Sequence, residues 1–125
     1  MGLFKKDPLE TQLGEIANAD TVAFGGVGIA GTLLPATQAY FSLEEALPLH
    51  KRELRPKLER MLDSATPAGR IYAAELLNHV EAAAGQAAWR RLADQHAEVS
   101  TFSGCIMSKT TLHRYASDRL GGSAG

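Results

Sequence analysis

The residues with the clearest capacity for chemistry are Cys105, the single cysteine of the chain, and His113, which follows it. A thiol becomes a nucleophile when a nearby base holds it as the thiolate, and nearby donors then stabilise the charge that develops on the substrate. Gly104 suits a nucleophile turn, and Asp118 or Glu98 can orient the histidine. These residues predict, as one alternative, a small thiol-dependent enzyme.

A structural role is the competing interpretation of Cys105. It precedes Ile106 and Met107, and free cysteine is among the most buried residue types. The four histidines show no spacing typical of metal ligands, and one cysteine cannot complete a thiolate site. No G-x-S-x-G motif is present. We therefore expect no metal, no cofactor and, as the favoured alternative, no catalysis.

The least ordinary stretch is 21–43, which has no charged residue and holds four of the twelve glycines. Gly26, Gly28 and Gly31 fit the dinucleotide-binding pattern G-x-G-x-x-G, in which backbone N–H groups meet a pyrophosphate at a helix N-terminus. Pro35 removes a donor from the helix that should follow. The acidic residue expected about 20 positions later falls in a charged, helical pattern instead of on a strand.

Three other interpretations of this stretch stay open. A transmembrane span has the length but is diluted by glycine, proline and threonine. A buried segment would place Val22, Phe24, Val27 and Ile29 in the core, with glycines allowing tight turns. A third possibility is a glycine-rich loop that presents N–H groups to a small ligand or phosphate.

Composition sets the class of protein. The chain has 125 residues, enough for one domain with its own core. A net charge of −1 gives no electrostatic basis for binding nucleic acid or an anionic membrane. The single cysteine and an N-terminus without an apolar run predict a cytoplasmic protein.

Apolar residues at helical spacing, together with proline and glycine breaks, predict short helices over about 7–18, 35–47, 55–64, 67–80, 82–96 and 108–120. Asp7 is the expected cap of the first helix, Thr66 of the fourth and Ser108 of the last. The residues expected in the core are Leu9, Leu13, Ile16, Ala17, Tyr40, Leu43, Leu47, Leu54, Leu58, Met61, Leu62, Tyr72, Ala73, Leu76, Leu77, Val80, Ala88, Trp89, Leu92, Ala93, Leu112, Tyr115, Ala116 and Leu120.

The predicted fold class is all-α, with five to six short helices stacked as HEAT-like αα-hairpins. Two short segments near 21–32 and 99–107 are non-helical, and their β-tolerant residues favour pairing as a small β element. Residues 1–120 are expected to form a single helical domain, and 121–125 a flexible tail.

Three segments carry a resemblance to known proteins: VAFGGVGIAGT at 22–32, ATPAGRIYAA at 65–74 and SGCI at 103–106. Their order resembles a group of small bacterial helical proteins described as HEAT-like. The resemblance implies a helical fold of that kind and brings no activity with it. Helix capping alone is expected to account for Thr66 and its neighbours.

We predict a non-catalytic protein-interaction module, either an adaptor or an immunity-type inhibitor, that binds another protein. Irregular segments on a rigid scaffold are the usual place for function. The two non-helical segments are therefore expected to lie together as the binding face. The predicted binding residues are Phe24, Gly25, Gly26, Gly28, Gly31, Phe102, Ser103, Gly104 and Cys105.

Overall fold

The computed structural model describes residues 8–121, and this part of the chain is mainly helical. It contains five helices and three strands: α1 (Pro8–Ala17), β1 (Thr21–Val22), α2 (Pro35–Ser64), α3 (Pro67–Val80), α4 (Ala82–Ala93), β2 (Glu98–Ser103), β3 (Ile106–Thr111) and α5 (Leu112–Gly121). The helical class is confirmed, and a three-stranded sheet adds to it.

The helices share one apolar core. Every residue that the periodicity assigned to the core either belongs to this buried cluster or packs against it. Helix α3 lies at its centre, with Ile71, Tyr72, Ala73, Ala74 and Leu76 fully buried, and it makes its most extensive contacts with α2. Among the described helices, none has the length and apolarity needed to cross a membrane.

Helix α2 consists of two helical segments joined at a kink, where the sequence predicted a break between helices at 35–47 and 55–64. His50, two residues after Pro48, leaves helical geometry at φ −132° and ψ 22°. The predicted start of the second helix is corrected, because helical geometry resumes before Pro56. The buried Leu47 and Leu54 pack both segments on the same core.

The start of α3 also corrects an expectation, since capping is only part of its explanation. The Thr66 hydroxyl does cap the helix, accepting from the Gly69 N–H at 3.1 Å. Gly69 has a further role. A Cβ there would lie 2.5 Å from the carbonyl oxygen of Ile16, at the end of α1. Only glycine lets α1 and α3 approach this closely.

The sheet joins the two segments predicted to be non-helical. Strand β1 runs parallel to β2, with Thr21 opposite Ser100 and Val22 opposite Thr101. Strand β2 in turn pairs antiparallel with β3 along its whole length, from Glu98 opposite Thr111 to Ser103 opposite Ile106. The sequence indicated that the two segments would meet, and they do.

Strand β3 was not predicted. Residues from Ser108 were assigned to the last helix, with Ser108 as its cap. The helix instead begins at Leu112, and the Thr111 hydroxyl accepts from the Arg114 N–H at 3.1 Å. Helix α5 extends to Gly121, the last described residue. Residues 122–125 of the predicted tail and the proposed cap Asp7 lie outside the described residues.

Candidate functional site

A buried polar cluster fixes residues 23–32, which we call the glycine segment, at the point where they follow β1. The Ala23 N–H donates to the Tyr72 hydroxyl at 2.9 Å, and the Tyr72 hydroxyl donates to the Ala23 carbonyl at 2.8 Å. The Thr37 hydroxyl donates to the same carbonyl at 2.8 Å. Tyr72 and Thr37 are fully buried. Helices α2 and α3 thus hold both backbone groups of one residue in the segment.

Beyond Ala23, the glycine segment forms a small hydrogen-bonded loop. Val27 and Thr32 exchange backbone hydrogen bonds, at 2.8 Å from the Val27 N–H and 3.0 Å from the Thr32 N–H. The Gly28 N–H donates to the Gly104 carbonyl, in the turn between β2 and β3, at 2.8 Å. The loop and the β2–β3 hairpin are therefore tied to each other by their backbones, as the sequence predicted for these segments.

The glycines of the loop have a structural explanation. Gly28 and Gly31 adopt φ of 72° and 66°, which favours glycine, and a Cβ on Gly26 would lie 2.4 Å from the Gly31 carbonyl oxygen. The N–H groups of Gly28 and Gly31 donate within the protein. No helix follows Gly31 directly, since α2 begins at Pro35. The loop consequently lacks the helix N-terminus that a dinucleotide-binding loop presents to a pyrophosphate.

Ile29 corrects the interpretation of this stretch as a wholly buried segment. Val22 is buried as predicted, but Ile29 is 100% exposed. The left-handed turn at Gly28 carries the chain out from the core, so that Ile29 stands at the tip of the loop. Phe24 lies between these extremes, with its ring edge-on to Tyr40 at 4.9 Å between centroids.

A cleft of about 580 Å³ opens where the glycine segment, the β2–β3 hairpin and α5 meet. Three aromatic residues belong to its lining: Phe24, Phe102 and Tyr115. Six of the predicted binding residues line it. They are Phe24, Gly25, Gly26, Phe102, Ser103 and Gly104.

Six further lining residues were not predicted as binding residues: Val22, Ala23, Thr101, Thr110, Tyr115 and Asp118. Thr101 and Thr110 come from β2 and β3. Tyr115 was predicted to lie in the core, and Asp118 was considered only as a residue that orients His113. Tyr115 and Asp118 are three residues apart, and residues at this spacing are neighbours on a helix surface. This spacing was the signal by which the sequence could have grouped them in one site.

The formal charge of the cleft lining is negative. Asp118 is exposed and is the single side chain in the lining that carries a formal charge at neutral pH. Tyr115 is uncharged: burial first, and the negative charge of Glu75 second, raise its pKa to about 12. Within residues 8–121, Asp118 forms no ion pair or side-chain hydrogen bond.

Helix α5 holds Tyr115 through contacts with α4. The Tyr115 ring lies 5.8 Å from the Trp89 ring. The Arg119 guanidinium covers Trp89 at 5.2 Å from the ring centroid and donates to the Glu75 carboxylate at 2.7 Å. A charge over an indole face, together with an ion pair, fixes this end of α5 against α3 and α4.

The loop and the start of β3 carry three exposed apolar side chains, which we call the apolar rim: Ile29, Ile106 and Met107. None of them lines the cleft. Ile106 and Met107 are 69% and 56% exposed. Ile29 adjoins Gly28, whose N–H contacts the hairpin turn. Consecutive strand residues point to opposite faces, so the end of the hairpin is apolar on both sides.

The structure does not bring Cys105 and His113 together. Cys105 is exposed in the turn before β3, which corrects its assignment as a buried structural residue. His113 follows the other end of that strand, whose six residues span about 20 Å. The His113 Nδ1–H donates to the Ala93 carbonyl at 2.6 Å, and its ring stacks near His96 at 5.0 Å. The predicted thiol dyad is therefore not formed.

The remaining predicted binding residues, Gly28, Gly31 and Cys105, lie in the loop and the hairpin turn beside the cleft. The described residues contain no group of three or more histidine, cysteine or acidic side chains that could hold a metal ion. Comparison with protein-family models, curated proteins and solved structures gives no match.

Proposed function

We propose that the protein is a non-catalytic protein-interaction module whose binding face consists of the loop at 27–32 (the glycine loop), the β2–β3 hairpin turn and the apolar rim. One observation carries the proposal: Ile29, an apolar side chain, is fully exposed at the tip of a loop whose backbone is hydrogen-bonded to its neighbours. Ile106 follows the hairpin turn to which this loop is hydrogen-bonded, and grouped exposed apolar side chains commonly mark a site of protein association.

The rigidity of this face supports the same proposal. The Val27–Thr32 pair closes the loop, and the Gly28–Gly104 hydrogen bond fastens it to the hairpin. A surface ordered before binding loses less conformational entropy when a partner binds. The exposed side chains of the rim can therefore contribute apolar burial with little reorganisation.

The helical body is included in the proposal. Consecutive helices make extensive contacts, from α1 with α2 to α4 with α5. We propose that they stack as HEAT-like αα-hairpins. Bodies of that kind present binding surfaces in adaptors and inhibitors. The partner would be a protein in the cytoplasm, bound either as an adaptor binds its client or as an immunity-type inhibitor binds its target.

The proposal is tested by comparing variants in affinity capture from cells of the source organism. Ile29→Asp and Ile106→Asp place a charge on the rim. Leu49→Asp is the matched control, because Leu49 is an 87% exposed apolar residue near the kink of α2. All three side chains are mostly exposed, so each change should alter stability by less than about 0.5 kcal/mol.

We expect a protein captured by the wild type and by Leu49→Asp to be lost or strongly depleted with both rim variants. The same proteins recovered with all four forms would contradict the proposal. The proposal would also be contradicted if no protein were captured in an amount that rises with the amount of immobilised wild type.

A further inference from the structure

The cleft beside the binding face has the chemistry of a ligand site of its own. We propose that it binds an organic cation, a primary or substituted ammonium group carried on a short apolar stem. This inference does not depend on the apolar rim, and it concerns residues that lie inside the cleft.

The first step is the charge of the lining. Asp118 supplies one carboxylate, and no lysine, arginine or histidine lines the cleft. Arg119, next to Asp118 in the sequence, pairs with Glu75 at 2.7 Å. Lys109 and Arg114 line a separate groove that shares Thr110 and Asp118 with the cleft. Neither forms an ion pair with Asp118 within 4.0 Å, whereas Lys109 pairs with Glu98 at 3.8 Å. The carboxylate is thus available to a cation from solution.

The second step is the aromatic wall. Phe24 and Tyr115 line the cleft from the glycine segment and from α5. Phe102 also belongs to the lining, but its ring lies on the opposite face of β2 from Thr101 and Ser103. The faces of such rings carry partial negative charge, and they attract cations as well as apolar groups. Phe24 is held in place by edge-on contacts with Tyr40 and Tyr72, at 4.9 and 5.2 Å between centroids. An ammonium group on an alkyl stem can pair with the carboxylate and pack against the rings.

The third step is the set of neutral polar groups. Thr101, Ser103 and Thr110 belong to the lining and share one face of the β2–β3 pair. A hydroxyl group can accept a hydrogen bond from an ammonium N–H. An anion would instead meet the Asp118 carboxylate, with no basic side chain to offset the repulsion. The same lining therefore favours cations and disfavours anions of equal size.

The test is a titration of the ¹⁵N-labelled protein, followed by the amide signals of Gly25, Gly26 and Gly104. The probes are n-butylammonium, the neutral n-butanol and the anionic butyrate. We expect saturable shifts with n-butylammonium, and weaker binding or none with the other two. Equal affinity for n-butanol would overturn the proposal, as would the absence of shifts at the cleft glycines.

Variants separate the carboxylate from general charge effects. Asp118→Asn should weaken n-butylammonium binding about three- to tenfold, the loss typical of one charge-assisted contact at an exposed site. Asp94→Asn removes an exposed aspartate outside the cleft and should leave the affinity unchanged. Equal affinities of Asp118→Asn and the wild type would overturn the proposal.

The cation has two possible sources, which a second arm distinguishes. Nα-acetyl-lysine-N-methylamide carries the same ammonium group on a peptide backbone. Binding as tight as that of n-butylammonium would assign the cleft to a lysine side chain of a protein partner. Exclusion of the lysine derivative, with n-butylammonium still bound, would assign it to a free amine.

Discussion

The polar cluster around Ala23 leads to a quantitative prediction about stability. Replacing Tyr72 by phenylalanine removes the hydroxyl that accepts from the Ala23 N–H and donates to the Ala23 carbonyl. The carbonyl keeps the Thr37 hydroxyl, at 2.8 Å, but the N–H loses its partner in a residue only 1% exposed. A buried donor without a partner costs about 1–3 kcal/mol, so we expect Tyr72→Phe to lower the free energy of unfolding by about 2 kcal/mol.

Thr37→Val is the matched perturbation on the other side of the same carbonyl. Valine has nearly the shape of threonine, and the carbonyl keeps the Tyr72 hydroxyl, so the expected loss is about 0.5–1 kcal/mol. The double variant leaves both backbone groups of Ala23 without partners. Its loss should exceed the sum of the single losses by about 1 kcal/mol, because the two hydroxyls share one acceptor.

The assay is urea denaturation followed by the fluorescence of Trp89, the single tryptophan and a buried residue. A loss of about 2 kcal/mol should also lower the melting temperature by about 8 °C in a domain of this size. A Tyr72→Phe loss below about 0.5 kcal/mol would refute the reasoning, since buried unpaired N–H groups cost more than that. Strictly additive losses in the double variant would refute the shared-acceptor argument.

Three further predictions concern the site. Gly26→Ala should destabilise the protein by about 1–3 kcal/mol in the same assay, because its Cβ would lie 2.4 Å from a backbone oxygen, whereas Gly25→Ala, with open space around it, should be nearly neutral. Cys105 should react with a thiol reagent in the folded protein at a rate that His113→Ala leaves unchanged; a slower rate would indicate contact. The free energy of unfolding should fall from pH 10 to about 12, because the raised pKa of Tyr115 keeps its phenol neutral in the folded protein while the phenol of the unfolded chain ionises. Tyr115→Phe should reduce this fall, as measured by urea denaturation at each pH.

The helical framework could be predicted because its signals are local and repeated. Leu54, Leu58 and Met61 recur at helical spacing, and proline or threonine marks several helix starts. The pairing of the two irregular segments was also predictable, because both combine small residues with β-tolerant ones and neither continues a helix. Both signals, helical spacing and segment composition, can be recognised in the sequence without knowledge of the tertiary contacts.

The remaining features depend on tertiary contacts. Strand β3 was misread because Ser108 followed by polar residues is typical of a helix cap, and only pairing with β2 makes the segment extended. The requirement for glycine at position 69 comes from the backbone of α1. Cys105 and His113 are close in sequence, yet β3 separates them by its full length.

The central claim is that the glycine loop and the hairpin turn form a protein-binding face. The most direct measurement is photo-crosslinking in cells of the source organism with p-benzoylphenylalanine at position 29, at position 106 and, as the control, at position 49. The account predicts that one protein forms adducts at 29 and 106 and none at 49. Equal adducts at all three positions, or none at 29 and 106, would contradict it.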